Sequence, residues 1–246
     1  MSKVLIVGGG AAGMLASIFA ARNGHEVHVY EKNEKLGKKL YITGKGRCNL
    51  TNACDMDALF ASVRTNSRFL YSAFYGFTNQ DAMTFFEEEG LKIKIERGER
   101  VFPLSDKSAD VLDTLRRSMR RAGVEIHLNT EVKELILEDG QARGLILEDK
   151  TRGDGDGVIV ATGGLSEPVT VSTGDGYRFA KEAGHKVTDC IPSLTPFNSR
   201  EDFLKELQGL ALKNVELRIY NGKKEVFREF GEMMFTHFGI TGPLVL

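Results

Sequence analysis

The chain has 246 residues, 41% of them hydrophobic, and 33 Lys and Arg balance 34 Asp and Glu to a formal net charge of −1. That length holds one large domain or one domain plus part of a second, and so small a charge excludes a global field that would draw in nucleic acid or an acidic membrane. Cys48, Cys54 and Cys190 form no C-x-x-C pair, and neither a signal peptide nor a bilayer-spanning run is read, so the expectation is a cytoplasmic protein with reduced thiols and a small-molecule substrate, with no nucleic acid and no membrane as partner.

Lys3–Val7 is a short apolar run with β-branched members, as in a buried strand. Gly8, Gly10 and Gly13 follow at the G-x-G-x-x-G spacing. Gly8 allows the sharp turn, Gly10 lets backbone approach a pyrophosphate, and Gly13 lets the helix pack close to the sheet. Ala11 and Ala12 lie at the helix head, where free amides and the helix dipole favour negative charge. The helix is predicted to end at Arg22-Asn23-Gly24, a basic last turn with a glycine stop. Glu26–Tyr30 alternates into a second strand, and Glu31, followed by Lys32, stands where a carboxylate accepts from ribose hydroxyls. Strand, glycine turn, helix, strand and acid together point to an ADP-type dinucleotide site. The fingerprint does not separate FAD from NAD, and Glu31 speaks against a 2′-phosphate.

Next comes a loop mixing Gly37, Gly44 and Gly46 with Lys38, Lys39, Lys45 and Arg47. Exposed amides and basic side chains suit the anionic part of a cofactor, while taken alone the loop reads equally well as a solvated basic segment. The runs Gly37-Lys38-Lys39-Leu40 and Thr43-Gly44-Lys45-Gly46-Arg47-Cys48-Asn49-Leu50-Thr51-Asn52 resemble the BaiN-type family of FAD-dependent oxidoreductases, which are two-dinucleotide-binding flavoproteins. The resemblance implies that Gly44 to Asn52 wraps the flavin, with Lys39, Gly44, Gly46, Arg47, Cys48 and Asn49 at the cofactor. It also implies reduction of an activated carbon–carbon double bond in a steroid or bile-acid-like enone, with NADH or NADPH as donor. Cys48 has no partner cysteine spaced as in a disulfide reductase, so its thiol is read as structural.

Residues 55–122 read mainly helical. Asn66–Phe77 carries Phe69, Leu70, Ala73 and Phe74 at helical spacing, and Asn79 or Asp81 is a candidate cap for the next helix. Their aromatics read as core. Leu91–Glu96 alternates like a strand, and Arg97–Pro103 again resembles the family. In Ser108–Ala122, Val111, Leu112, Leu115, Met119 and Ala122 share one face opposite solvated arginines. Val124–Leu128 is predicted beside the first sheet. Val132 resembles the family position whose backbone meets adenine. Val132–Leu137 and Arg143–Leu147 flank Asp139-Gly140 as a hairpin. Gly153–Gly157 lacks the remaining ligands of a calcium loop and reads as a solvent-facing turn. Val158–Ala161 is a buried strand, and Ala161-Thr162-Gly163-Gly164 is a second close turn assigned to the cofactor approach. A helix follows, with Asp175 as candidate N-cap and Gly184 as its stop. Family members carry an aromatic near Glu167 and a glycine near Val171, and this chain departs at both.

From Cys190 onward proline returns and strand-like runs dominate, with Val215–Tyr220 and Glu225–Phe230 joined across Asn221-Gly222. The fold class is therefore α/β: a Rossmann-like FAD-binding domain (1–189) with a β-rich second domain inserted, of which 190–246 is the beginning. His237 is the one histidine there weighed as an acid–base group; no set of the five histidines has metal-ligand spacing, and no catalytic residue is assigned. The apolar end at Leu244-Val245-Leu246 reads as a strand cut in mid-course. This leads to the expectation of an N-terminal portion completed by a C-terminal segment or second subunit. The rival readings are a non-catalytic dinucleotide-binding fragment and an NAD-binding domain without flavin.

Overall fold

The computed structural model describes residues 1–166, 172–192 and 194–245. It divides into two compact units, Met1–Val187 and Thr188–Leu246.

The first unit is built on a parallel sheet. Strand β1 (Lys3–Val7) leads through helix α1 (Ala11–Arg22) to β2 (Glu26–Tyr30). Helix α2 (Lys38–Ile42), strand β3 (Thr51–Asn52), helices α3 (Met56–Ala61), α4 (Tyr71–Gly76) and α5 (Asn79–Glu88), strands β4 (Ile93–Glu96) and β5 (Arg100–Pro103) and helix α6 (Ser108–Arg121) follow. Then come β6 (Glu125–His127), β7 (Val132–Glu138), β8 (Gln141–Leu147), β9 (Arg152–Asp154), β10 (Gly157–Val160) and α7 (Asp175–Glu182). The sheet order is β10-β1-β2-β6, all parallel, with Val7 level with both Tyr30 and Val160.

Strand alternation sends side chains to two faces. On one face Ile6, Val27 and Val29 pack with Met14 and Ile18 of α1 and with Val111, Leu112, Leu115 and Met119 of α6. On the other, Leu5, Val7 and Tyr30 meet Val132, Leu145 and Phe179 from the β7-β8-β9 meander and α7. Each fully buried aliphatic side chain contributes about 1.5–3 kcal/mol. The α6 stripe and the β7–β8 hairpin follow the sequence pattern. Asp139 (φ +50°) and Gly140 (φ +74°) supply the two left-handed residues that a tight hairpin turn demands.

Several expectations need correction. The predicted helix over 66–77 is a 3₁₀ turn, Ser67–Leu70, running into the short α4. Thr78, not Asn79 or Asp81, caps α5: its side chain accepts from the Asp81 amide while Asp81 accepts from the Thr78 amide, a reciprocal capping box. Residues 100–103 form β5, pairing with β4 and β3 inside the stretch read as helical. The strand read as buried, β10, has no partner beyond β1 among the described residues, leaving Ile159 and Val160 exposed. Gly174, in a left-handed conformation, precedes α7, so Asp175 is its first residue rather than its cap. The predicted Gly153–Gly157 turn narrows to Gly155-Asp156 between β9 and β10, where Asp156 accepts from the Lys3 amide at 2.7 Å and so ties the meander to β1.

The second unit is an antiparallel sheet ordered β11 (Phe197–Asn198), β14 (Gly239–Thr241), β13 (Lys224–Thr236), β12 (Ala211–Asn221). Asn221 pairs with Lys224, so the hairpin turns on Gly222-Lys223, one residue later than predicted.

Candidate functional site

A cavity of about 870 Å³ opens in the first unit, within the ~300–1,000 Å³ usual for small-molecule sites. It lies off the C-terminal ends of β1, β2 and β10, where Val7, Tyr30 and Val160 reach its wall. Open parallel sheets bind ligands at this end.

The glycine turn shapes one side. Gly8 has φ +107°, and a Cβ there would stand 2.5 Å from the Ala161 carbonyl oxygen. A Cβ on Gly13 would stand 1.9 Å from the Gly8 carbonyl oxygen, so α1 closes onto the turn only because that atom is missing. Gly10 is the opposite case: a Cβ there meets nothing within 4 Å, because it points into open space. Gly10, Ala11 and Ala12 line the cavity, while α1 has no side-chain cap and no acidic residue in its first turn. The helix therefore presents uncapped amides and its positive dipole end to the cavity.

Glu31 lies beside the turn, 8% exposed and on the cavity wall. One carboxylate oxygen accepts from the Gly9 amide at 2.7 Å; the other accepts from the Asn33 amide at 2.9 Å and from the Asn33 side chain. A carboxylate has about four acceptor positions, so one stays unused among the described residues. Glu31 thus also braces the glycine turn, which the sequence reading missed. Gly9 was missed with it: a Cβ there would meet Leu36 at 2.3 Å and Glu31 at 3.1 Å.

Lys32 lines the cavity and donates to Thr173 and Asp175, at 2.8 and 3.0 Å. Lys39, also on the wall, donates to the Ser166 carbonyl and the Ser172 hydroxyl. Among the described residues no carboxylate pairs with it, and the partners it has there are neutral oxygens. Thr162 lines the same space, and its buried hydroxyl has no hydrogen-bond partner among the described residues. Val132, Ala161 and Gly163 complete this part of the wall. An uncapped helix head, a carboxylate with spare acceptor capacity, a lysine bonded to neutral oxygens and a hydroxyl unpartnered among the described residues together fit an adenosine diphosphate moiety.

Other predicted residues lie elsewhere. Gly13 sits behind the wall as a packing element. Of the run 44–52, Cys48, Asn49 and Leu50 reach the cavity, but Gly44, Gly46 and Arg47 do not, and neither does Gly164. Arg47 turns instead to Glu96 and Asp106, at 2.5 and 2.6 Å, with Lys94 bridging the same two acids, and its guanidinium lies 4.2 Å over the Phe102 ring. The Arg47 and Lys94 hydrogen bonds hold both carboxyls below their usual range. Asn49 donates to the Thr51 and Val101 carbonyls and fastens the loop to β5. Cys48 is 3% exposed within the core, and burial pushes its thiol up to about 11. Such a thiol stays protonated at neutral pH. His237 is exposed, its ring edge-on to Phe238. The departures noted at Glu167 and Val171 lie outside the described residues. Where the sequence assigns no metal site, the fold brings His28 and His127 to 3.1 Å, with Glu125 beside them. Ser172, Asp175 and Phe179 line the cavity unforeseen; they come from α7 and the segment leading into it, whose approach to the site is set only by tertiary packing.

The family model described as the HI0933-like protein Rossmann domain matches residues 2–242. The chain belongs to this family. Curated relatives align along almost all of it. It is 33% identical over 98% of its length to 3-dehydro-bile acid delta(4,6)-reductase of Clostridium scindens, covering 58% of that protein. It is also 33% identical over its whole length to a ribosomal RNA dihydrouridine synthase of Haemophilus influenzae, covering 60% of it. The chain thus spans about three fifths of the curated relatives it matches. Among solved structures, the open conformation of a flavocytochrome c3 fumarate reductase aligns with TM-score 0.58 and 21% identity, covering 86% of this chain and 47% of that one. At that identity the likeness is one of fold: a parallel sheet with its crossover helices.

No helix among the described residues is long and apolar enough to cross a membrane.

Proposed function

We propose that this chain supplies the FAD-binding part of an oxidoreductase that reduces a carbon–carbon double bond conjugated to a carbonyl. The observation that carries the reading is the uncapped head of α1 with the Glu31 carboxylate beside it on the same cavity wall. The α1 amides would hold the pyrophosphate, Glu31 would orient the adenosine ribose, and Lys39 would balance phosphate charge. Thr162 would give its unpaired hydroxyl to the middle of the cofactor, and Leu15, Phe77, Phe86 and Leu115 would keep water from the apolar part of the cavity. Bound there, FAD supplies hydride transfer, with NADH or NADPH as electron donor. No residue is assigned as proton donor.

Two relatives support the substrate class. One is named for a bile-acid reductase and the other for dihydrouridine formation in ribosomal RNA. A steroid enone and a uracil ring share a double bond conjugated to a carbonyl, and each product gains two hydrogens across it. The first reading is the steroid-like enone. The uracil ring within RNA is the second, supported by the relative's name, and it sets aside the expectation that nucleic acid is no partner.

The test is reconstitution with FAD, anaerobic addition of NADH or NADPH, then a steroid enone or an RNA transcript. Bleaching of the flavin spectrum, reversed by one substrate whose mass rises by two hydrogens, supports the reading. Bound FAD that neither donor bleaches would count against an enzyme of this kind, and failure to bind FAD would remove the cofactor assignment.

A further inference from the structure

Strands β2 and β6 carry the same short pattern, Glu26-Val27-His28 and Glu125-Ile126-His127. They run parallel, with His28 level with Glu125 and Tyr30 level with His127. Alternation puts the glutamate and histidine of each strand on one face. His28 Nδ1 stands 3.1 Å from His127 Nε2 and 3.3 Å from a Glu125 carboxylate oxygen. One ligand atom from each of the three lies within 4.8 Å of the others.

We propose that His28, His127 and Glu125 form a binding site for a divalent transition cation of the zinc class, separate from the cavity that the cofactor reading uses. Two nitrogens bound at ~2.0–2.1 Å to one tetrahedral ion stand about 3.3–3.4 Å apart, close to the separation already present. Two imidazoles and a carboxylate make a borderline donor set that suits zinc or cobalt rather than calcium or magnesium. Glu26 completes the arrangement: its carboxylate lies 2.8 Å from His28 Nε2. A proton held there leaves Nδ1 with its lone pair free, as in carboxylate–histidine–metal triads. Lys3, 3.3 Å from the same Glu26 oxygen, offsets the Glu26 charge and leaves Glu125 as the ligating acid. Packing fixes the rings. His28 is 7% exposed, and the His127 ring is stacked between His28 and Tyr30, with centroids 5.4 and 4.6 Å away. Glu125 is exposed at the edge strand, which gives the ion an entry path and a position for water.

Bound there, the ion would clamp β2 to β6 just before Glu31, whose amide donates to the His127 carbonyl at 2.8 Å.

The experiment uses untagged protein stripped with chelator and titrated with Co²⁺, with the visible d–d absorption of bound cobalt as readout. The expected result is one equivalent bound, displaced by Zn²⁺, with no thiolate charge-transfer band. His127→Ala should abolish the band, Glu26→Gln should weaken binding about 10–100-fold, and His185→Ala should leave it unchanged, each variant being checked for folding by circular dichroism. No stoichiometric band in the native protein would overturn the proposal, and so would a band that survives in His127→Ala or a thiolate charge-transfer band.

Discussion

Replacing Gly10 with alanine separates cofactor binding from folding. The backbone there has φ −77° and ψ −173°, ordinary extended values open to any residue, and the new methyl would meet nothing within 4 Å. Alanine is a poorer N-cap than glycine, a cost of several tenths to about 1 kcal/mol. The narrower unfolded ensemble returns about 0.4–1 kcal/mol. The two effects nearly cancel, so urea denaturation should give a midpoint close to that of the native protein. The same methyl stands in the cavity at the helix head. It would hold a pyrophosphate away from the α1 amides, and losing one hydrogen bond to a charged group costs about 1.5–3 kcal/mol. At about 1.4 kcal/mol per tenfold change, FAD affinity should fall roughly 10- to 150-fold, read by flavin fluorescence on titrating the apo-protein. Native FAD affinity in Gly10→Ala would refute the placement of the phosphates. Loss of both folding and binding would refute the claim that the position is open.

Gly13→Ala should do the reverse, because its methyl would fall 1.9 Å from the Gly8 carbonyl oxygen; such overpacking costs about 1–3 kcal/mol or more, visible as a lowered urea midpoint even without cofactor. Arg47→Ala should leave FAD affinity unchanged, since Arg47 does not reach the cavity, yet reduce stability by leaving Glu96 and Asp106 with Lys94 alone. Because those two carboxyls are lowered in the fold, their contribution is present above the ordinary carboxylate pKa of ~4 and is lost as pH falls through the lowered values. The acid end of a pH–stability profile should therefore flatten in Arg47→Ala, and an unchanged profile would contradict the network's role. Cys48 should resist a disulfide reagent at mildly alkaline pH while the exposed Cys190 reacts. Its raised thiol pKa of about 11 contributes stability that is full below the unfolded value and disappears as pH climbs to about 11. Rapid labelling of Cys48 in folded protein would show that burial is not what governs it.

The β1-α1-β2 unit was legible because three local signals agree: an apolar strand, glycines at fixed offsets and an acid at the end of the second strand. The α6 stripe and the Asp139-Gly140 hairpin were legible for the same reason, each being set by period or turn chemistry within a few residues. What escaped was non-local. The four-residue β5 carries no alternation of its own and is defined by pairing with β4 and β3. Whether a glycine in the run 44–52 reaches the cavity depends on how the loop folds against β5, and Arg47 is turned away by acids 49 and 59 positions further along. The histidine pair needs the register between β2 and β6, nearly a hundred residues apart in the chain. The repeated Glu-x-His was there to be read, but it acquires meaning only once those strands are known to be neighbours. The sequence offers Glu31 as an acceptor for ribose hydroxyls and not as a holder of amides, since Gly9 and Asn33 reach it only after the turn has closed.

The most direct measurement is calorimetric titration of the protein with ADP, repeated in the presence of FAD. The account predicts one ADP site per chain, competitive with FAD and weakened roughly 10- to 150-fold in Gly10→Ala at native stability. An absence of ADP binding, or ADP and FAD bound at once without competition, would contradict the claim that the head of α1 and Glu31 hold an adenosine diphosphate.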